Sequence, residues 1–195
     1  MIIWLNGAFG SGKTTCAFEL NRRLPNSFVY DPENIGYFIR NNTPKEIHKP
    51  NFQDNEQWRL FNYEMLKYLY YEYKGIIIVP MTIVNRCYYD EIIQKLTDDD
   101  IPVKHFILYA SKETLKKRLR RRLELSNTWA ITQIDNCINA FNSSITEEKI
   151  ETDNKTVDEI LDEIAIKTGI PLLSDKRSRI KKMIDKILTL IKHIR

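Results

Sequence analysis

Two periodicities alternate along the chain. Short runs of consecutive apolar residues are separated by longer segments in which apolar positions recur at three- and four-residue steps, the spacing of one helix face. The runs predict strands at residues 2–6 (IIWLN), 27–31 (SFVYD), 76–81, 103–110 and 149–152. The recurring spacings predict helices at 13–24, 55–74, 89–96, 112–125, 128–141 and 156–168, with a further helix around Arg40. Pro25 stops the first helix, Pro32 closes the second strand, and Gly75 ends the long helix before the third strand. Strands alternating with helices imply a parallel α/β sheet covered on both faces. The unbroken apolar segment at 76–81 suits a strand in the middle of such a sheet.

Residues 175–195, beyond Gly169-Ile170-Pro171, read as one more helix. Ile180, Met183, Ile184, Ile187, Leu188, Ile191 and Ile194 fall at steps of one, three and four and make a single apolar stripe. Eight Lys/Arg and two Asp accompany the stripe, a local +6 in a chain whose formal charge is +4, so the first 174 residues sum to −2. Two readings follow for this basic amphipathic helix. Docked on the body, or on a second copy in a homo-oligomer, the stripe is core and the charge is a solvated face. Laid on an anionic membrane surface, the stripe enters the acyl boundary while the cations meet headgroups.

Of the 195 residues, 43% are hydrophobic, 29% charged and 11% aromatic, a balance that argues for a packed globule and against a disordered chain. The longest uncharged apolar run, residues 75–84, has ten positions, half of the roughly 20 needed to cross a bilayer. The opening MIIWLNGAFG lacks the basic start of a signal peptide. We therefore expect a cytoplasmic protein, with a peripheral seat on the inner face of the membrane under the second reading of the tail. Cys16, Cys87 and Cys137 are then free thiols.

Between the first strand and the first helix stands Gly7-Ala8-Phe9-Gly10-Ser11-Gly12-Lys13-Thr14. It fits G-x-x-x-x-G-K-[ST] in the strand-to-helix context that the phosphate-binding motif requires. Glycines let the backbone curl so that successive N–H groups face phosphate oxygens, and the helix N-terminus adds partial positive charge. Lys13 is placed to reach the β- and γ-phosphates of ATP, the Thr14 hydroxyl to bind Mg²⁺, and Thr15 completes the expected cofactor site. A dinucleotide site fits worse, because no third glycine follows Gly10-x-Gly12.

A phosphate loop alone does not separate kinases from ATPases and GTPases. The guanine signature N-K-x-D is absent, and the third strand runs into Met81-Thr82 with no Asp where many ATPases hold their metal. Small-molecule kinases often use a carboxylate after the second strand instead, here Asp31 in Tyr30-Asp31-Pro32-Glu33. A carboxylate there accepts the proton of an attacking hydroxyl or holds Mg²⁺ through water, with Glu33 in reserve. The plain alternative is a solvated turn aspartate before proline. Arg40 is placed to grip an anionic acceptor. Trp58 and Arg59 are candidates to stack a ring and to donate to a carbonyl or phosphate, against the alternative of a core Trp and a surface Arg.

Residues 112–122 (KETLKKRLRRR) hold seven cations, with Arg118 and Arg122 one turn apart on one helix face. One such Arg can lie on adenine while its neighbour neutralises a transferring phosphate. Residues 124–128 (ELSNT) are expected at the tip of a lid near 118–130, with Gln133 facing the site from the next helix. No recognition module or aromatic-interleaved basic sheet accompanies these cations, so nucleic acid is not an expected partner.

Taken together, GAFGSGKT, VYDPENIG, FQ before WRLFNY, IIIVPMTIV, ASKETLKKRL, SNTWA with QID, and TDN closely resemble the tunicamycin-resistance ATP-binding proteins of bacteria across essentially the whole chain. The resemblance implies an ATP-binding protein of the small-kinase type that protects cells from a nucleoside antibiotic and associates peripherally with membrane. More distantly the chain resembles chloramphenicol phosphotransferases and shikimate-type kinases, in which the acid after strand two serves acceptor activation, the place of Asp31. The expected fold is a three-layer α/β P-loop NTPase with five parallel strands in the order 2-3-1-4-5. Residues 1–174 form the kinase-like domain and 175–195 the added helix. The expected activity is ATP- and Mg²⁺-dependent transfer of phosphate to a hydroxyl of tunicamycin or a related nucleoside antibiotic; the alternative is ATP-linked sequestration of the drug without a product.

Overall fold

A computed structural model describes residues 1–121 and 128–193. Five strands, β1 (Ile2–Gly7), β2 (Ser27–Val29), β3 (Ile76–Pro80), β4 (Val103–Tyr109) and β5 (Glu148–Glu151), form one parallel sheet in the order β2-β3-β1-β4-β5. This is the expected topology. The register sets Trp4 beside Val79 and His105, and Gly7 beside Leu108. The period of two then sends Ile2, Trp4, Ile77, Val79 and Ile107 into one core and Ile3, Leu5, Ile78, Phe106 and Leu108 into another. Both faces of the central strands are buried, which is why their sequence is mainly apolar without strict alternation.

The helices are α1 (Lys13–Arg23), α2 (Glu33–Asn41), α3 (Glu56–Glu72), α4 (residues 86–98, π-helical over Asp90–Gln94), α5 (Lys112–Arg121), α6 (Thr128–Ser143), α7 (Val157–Thr168) and α8 (Arg179–His193). Leu20 and Cys16 of α1 pack with Ile160, Leu161 and Ile164 of α7 on one side of the sheet. Trp58 and Leu66 of α3, Ile92 of α4, Leu115 of α5 and Ile134 of α6 fill the other.

Several element ends differ from those expected, each for a local reason. Helix α1 stops one residue early because Leu24, extended at φ −110° and ψ 114°, precedes Pro25. Strand β2 is shorter than 27–31: Tyr30 N–H still bonds Ile78, but the Asp31 carboxylate then accepts the Glu33 N–H at 3.0 Å and turns the chain into α2. Helix α4 begins three residues before the expected Tyr89, since Asn85 caps it by accepting from the Cys87 N–H at 2.9 Å. Thr156 and Glu159 form a reciprocal capping box at the start of α7.

The C-terminal segment departs most. Residues 175–178 are not helical, because the Asp175 carboxylate accepts its own neighbour's N–H (Arg177, 3.0 Å). Helix α8 docks on α1 and α7 through its polar side. Arg177 pairs with Glu19 of α1, with Asp175 at 2.8 Å and with Asp185 at 2.6 Å. Lys182 pairs with Asp158 of α7 at 2.8 Å, and Arg22 donates to Thr189 at 3.3 Å. Ile180, Met183, Ile184, Ile187 and Leu188 face outward, 46–68% exposed. The expectation that the stripe is core against the body is therefore corrected. The neighbouring side chains of α1 and α7 that meet α8 (Glu19, Arg22, Asp158) are polar, and they select the charged side of the tail.

Candidate active site

The phosphate loop closes the carboxyl end of β1. Gly7, Gly10 and Gly12 have φ of 144°, 84° and 103°, a conformation side chains rarely tolerate. A Cβ on Gly7 would also stand 2.5 Å from Ser11 Oγ and 2.6 Å from the Leu108 carbonyl. The curl leaves Ser11 Oγ buried with no hydrogen-bond partner, a polar atom that suits a phosphate oxygen. Lys13 Nζ folds back on the loop and donates to the Gly7 and Ala8 carbonyls at 2.8 and 3.1 Å. Its ammonium lies 5.7 Å from the centre of the Phe9 ring. Thr14 is half-buried and Thr15 buried at the start of α1. Among the described residues no group of three or more His, Cys, Asp or Glu is placed to hold a metal.

Asp31 stands at the same edge of the sheet, at the end of β2. The strand order separates it from the loop by two strand spacings, roughly 10 Å. Its turn is pinned from α3 on both sides. Trp58 Nε1 donates to the Pro32 carbonyl at 3.0 Å, and the Tyr30 hydroxyl donates to Asn62 at 2.8 Å. Burial, helped by the neighbouring Asp31 charge, pushes the Tyr30 hydroxyl up, so it remains a donor at neutral pH. Glu33 opens α2 in the adjoining position.

Two acceptor-side expectations change. Trp58 is wholly buried, its ring meeting Phe52 at 5.4 Å, and offers no face for a ligand to stack on. Arg59 is buried and not a surface residue: its donors go to Glu91 at 2.6 Å and to the Gln53 carbonyl at 2.7 Å, and its guanidinium lies over Tyr88. Arg40 donates to the Pro50 carbonyl at 2.9 Å and sits over Phe52, so it closes residues 49–52 onto α2.

On the far side of the loop, Arg118 reaches from α5 to the Thr152 carbonyl at 2.6 Å, the Thr152 hydroxyl at 3.0 Å and the Ser11 carbonyl at 3.3 Å. The edge of its guanidinium thus ties the loop after β5 to the phosphate loop. Asp153 next door accepts the Ser111 N–H at 3.0 Å. Gln133 is half-buried on α6 and accepts from Asn136. Arg122 and lid residues 124–127 lie outside the described residues.

Four residues central to this arrangement escaped the sequence reading: Asn6, Gln53, Asn62 and Thr82. Asn6 is fully buried, accepts the Gly7 and Ile83 N–H groups and donates to the Ile83 carbonyl, stitching β1 to the segment after β3. The only available signal was a polar residue inside an apolar run, which is informative because burying an amide requires partners.

With this geometry in view, comparison with known proteins is decisive for the family. The sequence matches the AAA domain family over residues 2–135. The chain belongs to that family. This AAA domain is similar to the tunicamycin resistance protein of Deinococcus radiodurans, with 28% identity, a TM-score of 0.75, and coverage of 89% of this chain and 99% of that one. It also shares its fold with shikimate kinase from Bacteroides thetaiotaomicron (18% identity, TM-score 0.59, 87% and 99% covered). A third likeness is deoxyadenosine kinase from M. mycoides (15% identity, TM-score 0.54, 87% and 99% covered). No curated protein sequence matches the chain. The P-loop kinase-like fold implies nucleotide binding, and no helix among the described residues is long and apolar enough to cross a membrane.

Proposed function

We propose that this protein is an ATP- and Mg²⁺-dependent phosphotransferase acting on a hydroxyl of tunicamycin or a related nucleoside antibiotic, and so confers resistance. The observation that carries the reading is the placement of Asp31, on a braced turn at the carboxyl edge of the sheet beside a complete phosphate loop. The 28% identity to a tunicamycin resistance protein supports the acceptor class.

Bound ATP with Mg²⁺ supplies the phosphoryl donor and part of the charge neutralisation. The chain's own residues do the rest. The loop N–H groups from Ala8 to Thr14 and the Ser11 hydroxyl bind phosphate oxygens, with Lys13 providing the cation and Thr14 a metal ligand. Asp31 accepts the proton of the attacking hydroxyl, with Glu33 beside it. Arg118 keeps the loop after β5 against the phosphate loop, the side on which a base ring would sit, and Arg122 is the lid cation. Formation of ADP that depends on added tunicamycin tests the reading, with the Lys13→Ala variant as the blank. Wild-type protein that turns over no ATP in the presence of drug would refute it.

The tail adds a location. The exposed stripe of α8, with the exposed Lys176 and Lys181 beside it in sequence, suits an anionic membrane surface, each cation near the headgroups adding up to about 1 kcal/mol. Sedimentation with anionic vesicles should carry the protein down at low salt and release it at high salt. An Ile184→Glu/Ile187→Glu variant, which leaves the docked polar side alone, should stay in solution.

A further inference from the structure

The first turns of α3 touch both halves of the candidate site. Trp58 and Asn62 hold the Asp31 turn, as described. Arg59, between them in sequence, serves the other half. Its Nη1 donates to the Gln53 carbonyl at 2.7 Å; the Gln53 carboxamide donates to the Thr82 carbonyl at 2.7 Å; the Thr82 hydroxyl donates to the Gly7 carbonyl at 2.8 Å. The chain of bonds ends on the same oxygen that holds Lys13 Nζ at 2.8 Å.

Nothing along this path is loosely held. Arg59 and Gln53 are 9% and 8% exposed. Glu91, bonded to the Arg59 Nε at 2.6 Å, and the Tyr88 ring, 4.5 Å from the guanidinium carbon, fix the arginine from outside. Asn51 orders the Gln53 turn by accepting its N–H at 3.1 Å. Each bond fixes the residue that makes the next one, so the coupling is positional, and a missing donor leaves a carbonyl without the partner that held it.

We propose that Arg59 is a positioning residue. Through Gln53 and Thr82 it sets the Gly7 carbonyl, and with it Lys13, against the helix that also holds the Asp31 turn. Nucleotide side and acceptor side are thereby fixed to one brace. What the brace serves rests on the phosphotransfer reading; the relay itself is legible in nucleotide binding alone.

The test is the rate at which a fluorescent ATP analogue leaves the full-length protein, measured for wild type, Arg59→Lys, Thr82→Val and the double variant. Each single variant should speed release by roughly 5- to 10-fold, the worth of one net hydrogen bond. The double variant should release no faster than the faster single, because both break one path although the two side chains do not touch. Thr82→Ser, which restores the hydroxyl, should return within about twofold of wild type. Gln53→Leu should copy Arg59→Lys and replaces it in the cycle if the lysine variant folds poorly. Release at the wild-type rate from Arg59→Lys, or a double variant equal to the product of the singles, would overturn the relay. Absence of drug-dependent transfer in wild type contradicts the proposed function and leaves this cycle readable; transfer with a multiplicative cycle contradicts the relay alone.

Discussion

The ring of Phe9, in the phosphate loop, meets the indole of Trp129 edge-on with 5.1 Å between centroids. Trp129 belongs to the first turn of α6, so an aromatic contact joins the loop that carries Lys13 to the helix that follows the expected lid. It also makes Trp129 a local reporter. Trp4 and Trp58 are fully buried, whereas Trp129 is 51% exposed. Binding of Mg-ATP should change the tryptophan emission and its quenching by acrylamide, and Trp129→Phe should abolish the change. A signal that survives this substitution would mean that the loop and α6 do not move together.

Asp31→Asn keeps the size of the side chain and a carbonyl oxygen able to cap the Glu33 N–H, while removing the basic carboxylate. Transfer should fall by roughly 10²- to 10⁴-fold, the usual contribution of a positioned general base, with ATP affinity changed much less. Nearly normal turnover would move the role to Glu33 or show that no base is needed, as loose phosphoryl-transfer transition states permit.

How much of this was legible in the sequence depends on the range of the interaction concerned. The loop from Gly7 to Thr14 was readable because phosphate binding is built from backbone curl within eight residues, and the parallel sheet because burial on both faces leaves runs such as Ile76–Pro80 with no polar alternation. The place of Asp31 after a strand was readable; its role is the proposal made above. Gln53 and Thr82 were not, because their importance lies in bonds to residues 29 and 75 positions away, which no local spacing encodes. Arg59 was misplaced for a related reason: a cation reads as surface until its distant partner Glu91 and the buried Gln53 are seen. The tail's stripe was read correctly as a stripe, but period alone does not say which side of a helix will find a partner.

His105 gives the fold a dependence on acidity. It is buried under Tyr89, whose ring stacks on it at 5.6 Å, and beside Trp4; neither ring nitrogen has a partner. Glu147, just before β5, accepts a hydrogen bond from the hydroxyl of that Tyr89. Burial pushes the imidazole down from 6.5 to about 3. The unfolded chain therefore takes up a proton below pH 6.5 that the folded one refuses, so stability should fall with pH through this window by about 1.4 kcal/mol per unit. Urea midpoints from about pH 7 to about pH 5 should show the slope, and His105→Phe should flatten it. An unchanged slope in that variant would assign the acid sensitivity elsewhere.

Docking of α8 should be electrostatic. The guanidinium of Arg177 holds the Asp175 carboxyl well below the usual carboxylate range and that of Asp185 lower than usual. Since these groups favour the charged form when folded, their contribution is full above about pH 4 and is lost as pH falls further. Arg177→Ala should raise hydrogen exchange in residues 179–193 at neutral pH while exchange in β1 and β4 stays as in wild type. Equal protection of α8 in both proteins would show that the ion-pair cluster does not hold the tail.

The central claim is that this P-loop protein moves a phosphoryl group onto a nucleoside-antibiotic hydroxyl, and the mass of the drug reads it directly. Tunicamycin incubated with the full-length protein and Mg-ATP, then recovered and weighed by mass spectrometry, should gain one phosphoryl group. The gain should be absent with Lys13→Ala and much reduced with Asp31→Asn. Recovery of unmodified tunicamycin bound to wild-type protein, with no ADP formed, would contradict transfer and leave sequestration as the means of resistance.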